Sequence, residues 1–451
     1  MRPGWGVLVV GLGTVVVPFD SSVNVAFPHI IRGFALPIPA IQWVVIAYTL
    51  TYAALMLVFG RIGDMFGYRR IFLLGNATGA LAFLLCSMAT SYEALLGARV
   101  MQGIGAALAL SCGPALATSL YPESERTRIL GLYTMVFGIG GSLGPVLAGQ
   151  LVEHWGWSAV FWFRAPIALS AFALAWFLPK GIVRGAARFD ALGAVLMVLT
   201  VTLMLLALNQ IRSVAVFLSL AAATLVAGAL FIRRQNSTPQ PIIDLRYFRD
   251  RDFALVNAAH ILLNLAGFSI MLLVPFYLDR IGGLSVPVGG MALAASPFGV
   301  MLSSPLAGRL AAFIAPKRLA LSGTAAMAVA QVVIGTTGGD VNLPLLLGAM
   351  FLQGVGLGLF QVAYFDIATA TIPKEDRGVA GSLVMMTRTV GVVTGATVLM
   401  LVFQSLRSTA IAQGTPDADA FLVGFQGAFR IAAALPVIVL LACLARGWAR
   451  R

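Results

Sequence analysis

The chain has 451 residues, of which 59% are hydrophobic and only 10% charged, with a net charge of +13. A soluble globular domain carries about 25% charged residues, so most of this surface must face something other than water. A basic protein that grips nucleic acid gathers its cations into one patch, whereas here the 30 lysines and arginines are scattered along the chain, which excludes that class.

In chain order, apolar runs of about 20 residues, the length that crosses about 30 Å of hydrocarbon, fall at 5–29, 41–61, 71–90, 94–119, 127–152, 159–178, 190–209, 213–232, 253–277, 287–309, 318–337, 343–371, 379–404 and 421–445. Fourteen transmembrane helices are expected, in an all-α integral membrane fold. Only Met1–Gly4 precede the first run, so no separate targeting peptide is expected, and the run carries Asp20 and Asn24, unlike a uniform signal-peptide core. Cys86, Cys112 and Cys443 sit inside apolar runs, as small filler and not as a disulfide framework.

With the N-terminus inside, alternating spans leave 22 of the 30 cations in cytoplasmic segments and 4 in external ones. Cations favour cytoplasmic loops, and one missed span would invert every later loop. Both termini are therefore expected in the cytoplasm. Arginine far outnumbers lysine, the usage of a GC-rich bacterial genome, and the expected location is the bacterial cytoplasmic membrane.

The chain also repeats itself. At an offset of 251, Gln102, Gly103 and Gly105 fall on Gln353, Gly354 and Gly356, and Pro122 and Arg126 on Pro373 and Arg377. At an offset of 248, Gly60-Arg61 falls on Gly308-Arg309. Parallel repeats of this kind build many secondary transporters. Three parts are expected: a six-helix bundle over 1–180, an inserted two-helix hairpin with a polar linker over 181–252, and a second six-helix bundle over 253–451.

Four stretches carry a family resemblance. Gly60–Arg70 (GRIGDMFGYRR), in the loop after span 2, resembles the signature loop of the major facilitator superfamily. Arg99–Gly105 (RVMQGIG) resembles its helix-four motif, and Gly140–Gly149 (GGSLGPVLAG) its antiporter-associated helix-five motif. Phe19–Pro28 (FDSSVNVAFP), with the linker Pro241–Phe248 (PIIDLRYF), is similar to the fourteen-helix drug:proton antiporters of that superfamily. The resemblance implies a major facilitator fold and export of small, amphipathic, drug-like molecules in exchange for protons. It implies no enzyme activity and no cofactor.

Chemistry gives each motif a reading. Gly60 and Gly67 permit a tight turn, and Asp64 can accept from amides at a neighbouring helix N-terminus. With Arg69 and Arg70 on the cytoplasmic side, this reads as a conformational latch, or else as a plain charged turn. The second repeat has Ala312 at the Asp64 position, so the latch is one-sided. Gly140, Gly144 and Gly149 give span 5 a smooth face and Pro145 bends it, so that it rolls against the other half or is merely kinked. Charge inside a membrane is costly and usually functional. Asp20 and Arg99 lie at similar depth and form the expected proton-coupling pair; a static pair joining spans 1 and 4 is the alternative. Weaker candidates are Asp366, expected to pair with Arg388, and His260, which titrates near neutral pH or simply packs. Arg164, at the outer start of span 6, is expected to snorkel.

The expected partners are a small-molecule substrate, protons and membrane lipid, with the protein acting as a monomer. No nucleotide-binding loop or metal-ligand cluster is visible in the sequence. The competing reading is an exporter or symporter of one endogenous metabolite, including an anionic one, because arginines outnumber acids inside the spans.

Overall fold

The structure, a computed structural model, describes residues 5–36, 38–179, 190–210, 213–239, 241–284, 286–373 and 377–448. Among the described residues, thirteen helices are long and apolar enough to cross a membrane, and a shorter apolar pair over Ala159–Ala175 supplies the remaining span. The fold is all-α. Part of the linker, 181–189, lies outside the described residues.

Span 1 is Trp5–Val15 and Ser21–Gly33 joined by a 3-10 turn at Pro18–Asp20. Spans 2 to 5 are Gln42–Phe66, Tyr68–Ser87, Tyr92–Ser119 and Arg126–Trp155, and span 6 is Ala159–Trp162 plus Arg164–Ala175. Spans 7 and 8 are Ala191–Asn209 and Val214–Ser237. Span 9 is Arg251–Arg280, and span 10 is broken into Val286–Leu293 and Ala295–Leu310. Spans 11 to 14 are Pro316–Gly335, Leu343–Thr371, Arg377–Ala412 and Asp417–Ala445. Span 13 thus runs eight residues beyond its expected end at 404, because the polar tail Gln404–Ser408 still satisfies its backbone inside the helix.

Lipid offers helices little hydrophobic reason to associate, so small residues that let backbones touch do the packing. A Cβ on Gly105 of span 4 would sit 2.7 Å from the Gly79 nitrogen of span 3. One on Gly356 of span 12 would sit 2.5 Å from the Gly323 oxygen of span 11. The two seams are the same seam in the two repeats. Large side chains such as Leu218, Leu225, Val226 and Ile232 of span 8 face outward, as lipid requires.

The halves meet along spans 5 and 10, 2 and 13, 4 and 13, and 5 and 12. The hairpin lies beside this seam, with span 7 against spans 2 and 13. Asp190 anchors it: its side chain accepts from the Gly193 amide at 3.1 Å and from Arg234 Nε at 3.0 Å. In the linker, the Arg246 side chain donates to Asp244 and holds that carboxyl below its ordinary range.

Candidate functional site

Pro18 has no N–H to give the preceding turn, so span 1 tightens into its 3-10 turn there and resumes as α-helix at Ser21. The break leaves Asp20 facing spans 4 and 6. Arg99 meets it with both ends of its fork, Nη1 to Oδ1 at 2.6 Å and Nη2 to Oδ2 at 2.8 Å. Arg164 donates through Nη1 to the same Oδ1 at 2.9 Å, and Gln102 through Nε2, also at 2.9 Å. Both arginine side chains are fully buried, and Asp20 is 15% exposed.

The two guanidiniums are held in place as well as paired. Arg99 Nε donates to the Val44 carbonyl at 2.7 Å and its Nη1 also to Gln102 Oε1 at 2.9 Å. Its charge lies 4.5 Å over the Tyr48 ring, an attractive cation–π placement. Arg164 Nε donates to the Val160 carbonyl at 2.9 Å, and its charge lies 4.6 Å from the Phe83 ring centre. Its Nη2 is buried with no hydrogen-bond partner among the described residues. One carboxylate thus faces two arginines, and with Asp20 ionised the cluster carries a surplus of one positive charge.

The expected Asp20–Arg99 pair is therefore present, but Arg164 does not snorkel. It begins the Arg164–Ala175 helix after the kink at Phe163, which turns its stem inward to a counter-ion. Gln102 was legible as part of the helix-four motif but not as a third donor.

Asp366 pairs with Arg126 and not with Arg388. Arg126 Nη2 reaches Asp366 Oδ1 at 2.6 Å, and Thr127 Oγ1 donates to the same atom at 2.9 Å. The reason is depth. Asp366 lies five residues from the end of span 12 and Arg388 eleven from the start of span 13, about 9 Å apart along the bilayer normal at 1.5 Å per residue. Arg388 is half-buried, with its charge 4.9 Å from the Phe137 ring centre.

His260 is fully buried, its Nδ1 2.9 Å from Thr387 Oγ1 and its ring 4.4 Å from that of Tyr364. Tyr364 in turn donates to Asn257 Oδ1 at 2.6 Å. His260 Nε2 has no hydrogen-bond partner among the described residues.

In the loop after span 2, Gly67 takes φ +96°, a conformation that favours glycine. Asp64 is buried and accepts from the Tyr68 hydroxyl at 2.8 Å. Gly60 is buried in span 2. Arg69 caps the end of span 6, donating from Nε to the Ala175 carbonyl at 3.1 Å and from Nη2 to the Trp176 carbonyl. Arg70 is exposed.

The glycines of span 5 divide between two neighbours, where one smooth face toward the other half was expected. A Cβ on Gly140 would meet Pro18 at 2.5 Å, and one on Gly144 would meet Ser21 Oγ at 2.4 Å. These two seat the break in span 1, within the same half. Gly138 and Gly141 face Met301 and Pro297 of span 10, across the seam. A Cβ on Gly149 would meet nothing within 4 Å among the described residues, so it belongs to neither surface. Pro145 lies inside the continuous helix Arg126–Trp155.

This architecture, with charges sequestered in a helical bundle and two halves in contact, is that of a membrane transporter. The Major Facilitator Superfamily signature matches residues 10–284 and 256–450, and the chain belongs to that superfamily. It is 30% identical over 399 residues to the riboflavin transporter RibZ of Clostridioides difficile, covering 88% of this chain and 87% of that one. It is 30% identical over 461 residues to the puromycin resistance protein pur8 of Streptomyces alboniger, covering 99% and 91%. To the multidrug resistance protein Stp of Mycobacterium tuberculosis it is 30% identical over 399 residues, covering 87% and 74%. Among solved structures, the human organic anion transporter MFSD10 (TETRAN) superposes with a TM-score of 0.71 at 14% identity, covering 98% of this chain and all of that one; that likeness speaks to the fold.

Proposed function

We propose that this transporter exports small amphipathic molecules in exchange for protons by alternating access, from a bacterial cytoplasmic membrane with both termini inside. One observation carries the reading: a mid-membrane carboxylate, Asp20, is shared by two buried arginines. When a proton occupies Asp20, its negative charge no longer holds the guanidiniums; when the proton leaves, the pairing re-forms. A charge crossing a potential of 100 mV carries about 2.3 kcal/mol, which drives the cycle. The puromycin and multidrug resistance relatives support drug-like cargo, and the riboflavin transporter supports a single metabolite. In this reading residues 1–180 and 253–451 move as the two halves, and 181–252 rides beside them.

The test uses proteoliposomes with an imposed proton gradient and a panel of puromycin, ethidium and riboflavin. Asp20→Asn keeps shape and polarity but removes titration, and should abolish gradient-driven accumulation while leaving exchange without a gradient. Concentrative transport by Asp20→Asn refutes the assignment. Orientation is tested separately: a cysteine at position 415 should react with an impermeant maleimide only from outside.

A further inference from the structure

Three arginines lie deep in the spans near the seam, and two of them are accounted for: Arg99 and Arg164 share Asp20 and are tied to backbone carbonyls. Arg388 differs. It stands eleven residues into span 13, at about 16 Å from the cytoplasmic end and so near the bilayer midplane. It makes no hydrogen bond or ion pair to any described residue. It is half-buried and not sealed, and it points across the seam, over Phe137 of span 5 and within electrostatic reach of the phenols of Tyr52, Tyr133 and Tyr48.

Those aromatics connect the cations of the two halves. Arg99 lies over Tyr48, the Tyr48 and Tyr52 rings are 5.0 Å apart, and Thr389, next to Arg388, donates to the Tyr52 hydroxyl at 3.1 Å. A cation–π contact alone is a weak partner for a charge in hydrocarbon, and an unpaired intramembrane charge is costly enough that it usually marks a ligand path. The acids do not balance it. Asp20 is already shared by two arginines, and Asp366 is taken by Arg126 and Thr127.

We propose that Arg388 is the substrate's counter-charge, and that the cargo is an amphipathic organic anion whose aromatic part packs against the half-buried Tyr52 and, once the halves part, against Phe137, which is buried here beneath the guanidinium. Planar guanidinium matches carboxylate or sulfonate oxygens with two parallel hydrogen bonds. The buried, unpartnered Nη2 of Arg164 adds positive potential from the first half. The proposal deepens the transport reading and rests on it, but it does not require proton coupling.

The test is equilibrium binding to the full-length protein in lipid nanodiscs, with fluorescein as an aromatic anion and ethidium as an aromatic cation. The wild type should prefer fluorescein. Arg388→Gln should lose about tenfold or more of that affinity, the worth of a charge-assisted hydrogen bond, and should leave ethidium unchanged or stronger. Arg388→Lys keeps the charge without the planar fork and should fall between. Phe137→Leu removes the ring beneath the guanidinium and should also weaken fluorescein, which gives a second reading if Arg388→Gln does not fold. Preference for ethidium, no fluorescein binding to the wild type, or unchanged fluorescein affinity in Arg388→Gln or in Phe137→Leu overturns the proposal. Failure of Asp20→Asn to uncouple transport would instead remove proton antiport and leave this binding result standing.

Discussion

Replacing Asp366 with Asn should loosen the closed contact between spans 5 and 12. The carboxylate receives Arg126 at 2.6 Å and Thr127 at 2.9 Å, with the Arg126 and Asp366 side chains 16% and 14% exposed. A hydrogen bond to a charged group contributes about 1.5–3 kcal/mol, while a fully exposed ion pair contributes about 0–1 kcal/mol. Arg126 keeps a second carboxylate, Glu123 at 2.8 Å, and Asn still offers Thr127 an acceptor. The loss should therefore be about 1–2 kcal/mol, or about five- to thirtyfold in the ratio of closed to open seam. Cysteine accessibility reads that ratio. Cys86, Cys112 and Cys443 are buried, so background reaction is low. Ser304 is fully buried and its carbonyl lies against Gly131 of the other half. In a Ser304→Cys background, Asp366→Asn should speed maleimide labelling from the span 5–12 end by that factor, and exchanging the charges as Arg126→Asp with Asp366→Arg should slow it again. Labelling rates within twofold of each other would refute the reasoning.

Arg164→Gln should leave Asp20 paired with Arg99 alone and slow gradient-driven transport about tenfold, measured in proteoliposomes; unchanged turnover would make Arg164 a packing residue. In the latch reading, Asp64→Asn should lower turnover far more than substrate affinity, because a residue at the end of span 2 that biases a conformational equilibrium need not touch cargo, and paired binding and transport assays separate the two. Gly356→Val forces a side chain into a 2.5 Å backbone gap and should cost about 1–3 kcal/mol of stability, seen as a lower melting temperature in detergent, whereas Gly149→Val, with open space around it, should melt like the wild type.

Much of the fold was legible because lipid imposes a simple rule: apolar runs of fixed length, with cations kept to one side. The helix count and the Asp20–Arg99 pairing followed from that rule and from depth along the spans. The pairing of Asp366 did not. Its partner Arg126 is 240 positions away in the other half, and sequence gives the depth of each helix but not which helices of the two halves face each other. The inward turn of Arg164 is hidden in the sequence because position near a span end suggests an exposed residue, while the kink at Phe163 that turns it inward is a tertiary feature. A count of charges offered the missing signal, since two deep arginines for one deep acid implies sharing. The division of the span 5 glycines between two neighbours was equally hidden, because small residues in a row record that something approaches closely without recording what.

That division has a consequence for how a proton could be felt at a distance. Span 5 carries the turn of Asp20 on Gly140 and Gly144, and span 10 of the opposite half on Gly138 and Gly141. In the proposed cycle the carboxylate and the surface that must slip are then separated by little more than the backbone of one helix, whose Cα atoms lie on a cylinder of about 2.3 Å radius. At these glycines span 5 has no side chain of its own to yield, and two of the groups it meets are stiff proline rings, Pro18 and Pro297, so a shift in the turn is passed on rather than absorbed. In the proposed cycle the helix acts as a stiff follower between cam and gate, and a single added methyl group at position 138 or 140 would jam it from opposite sides.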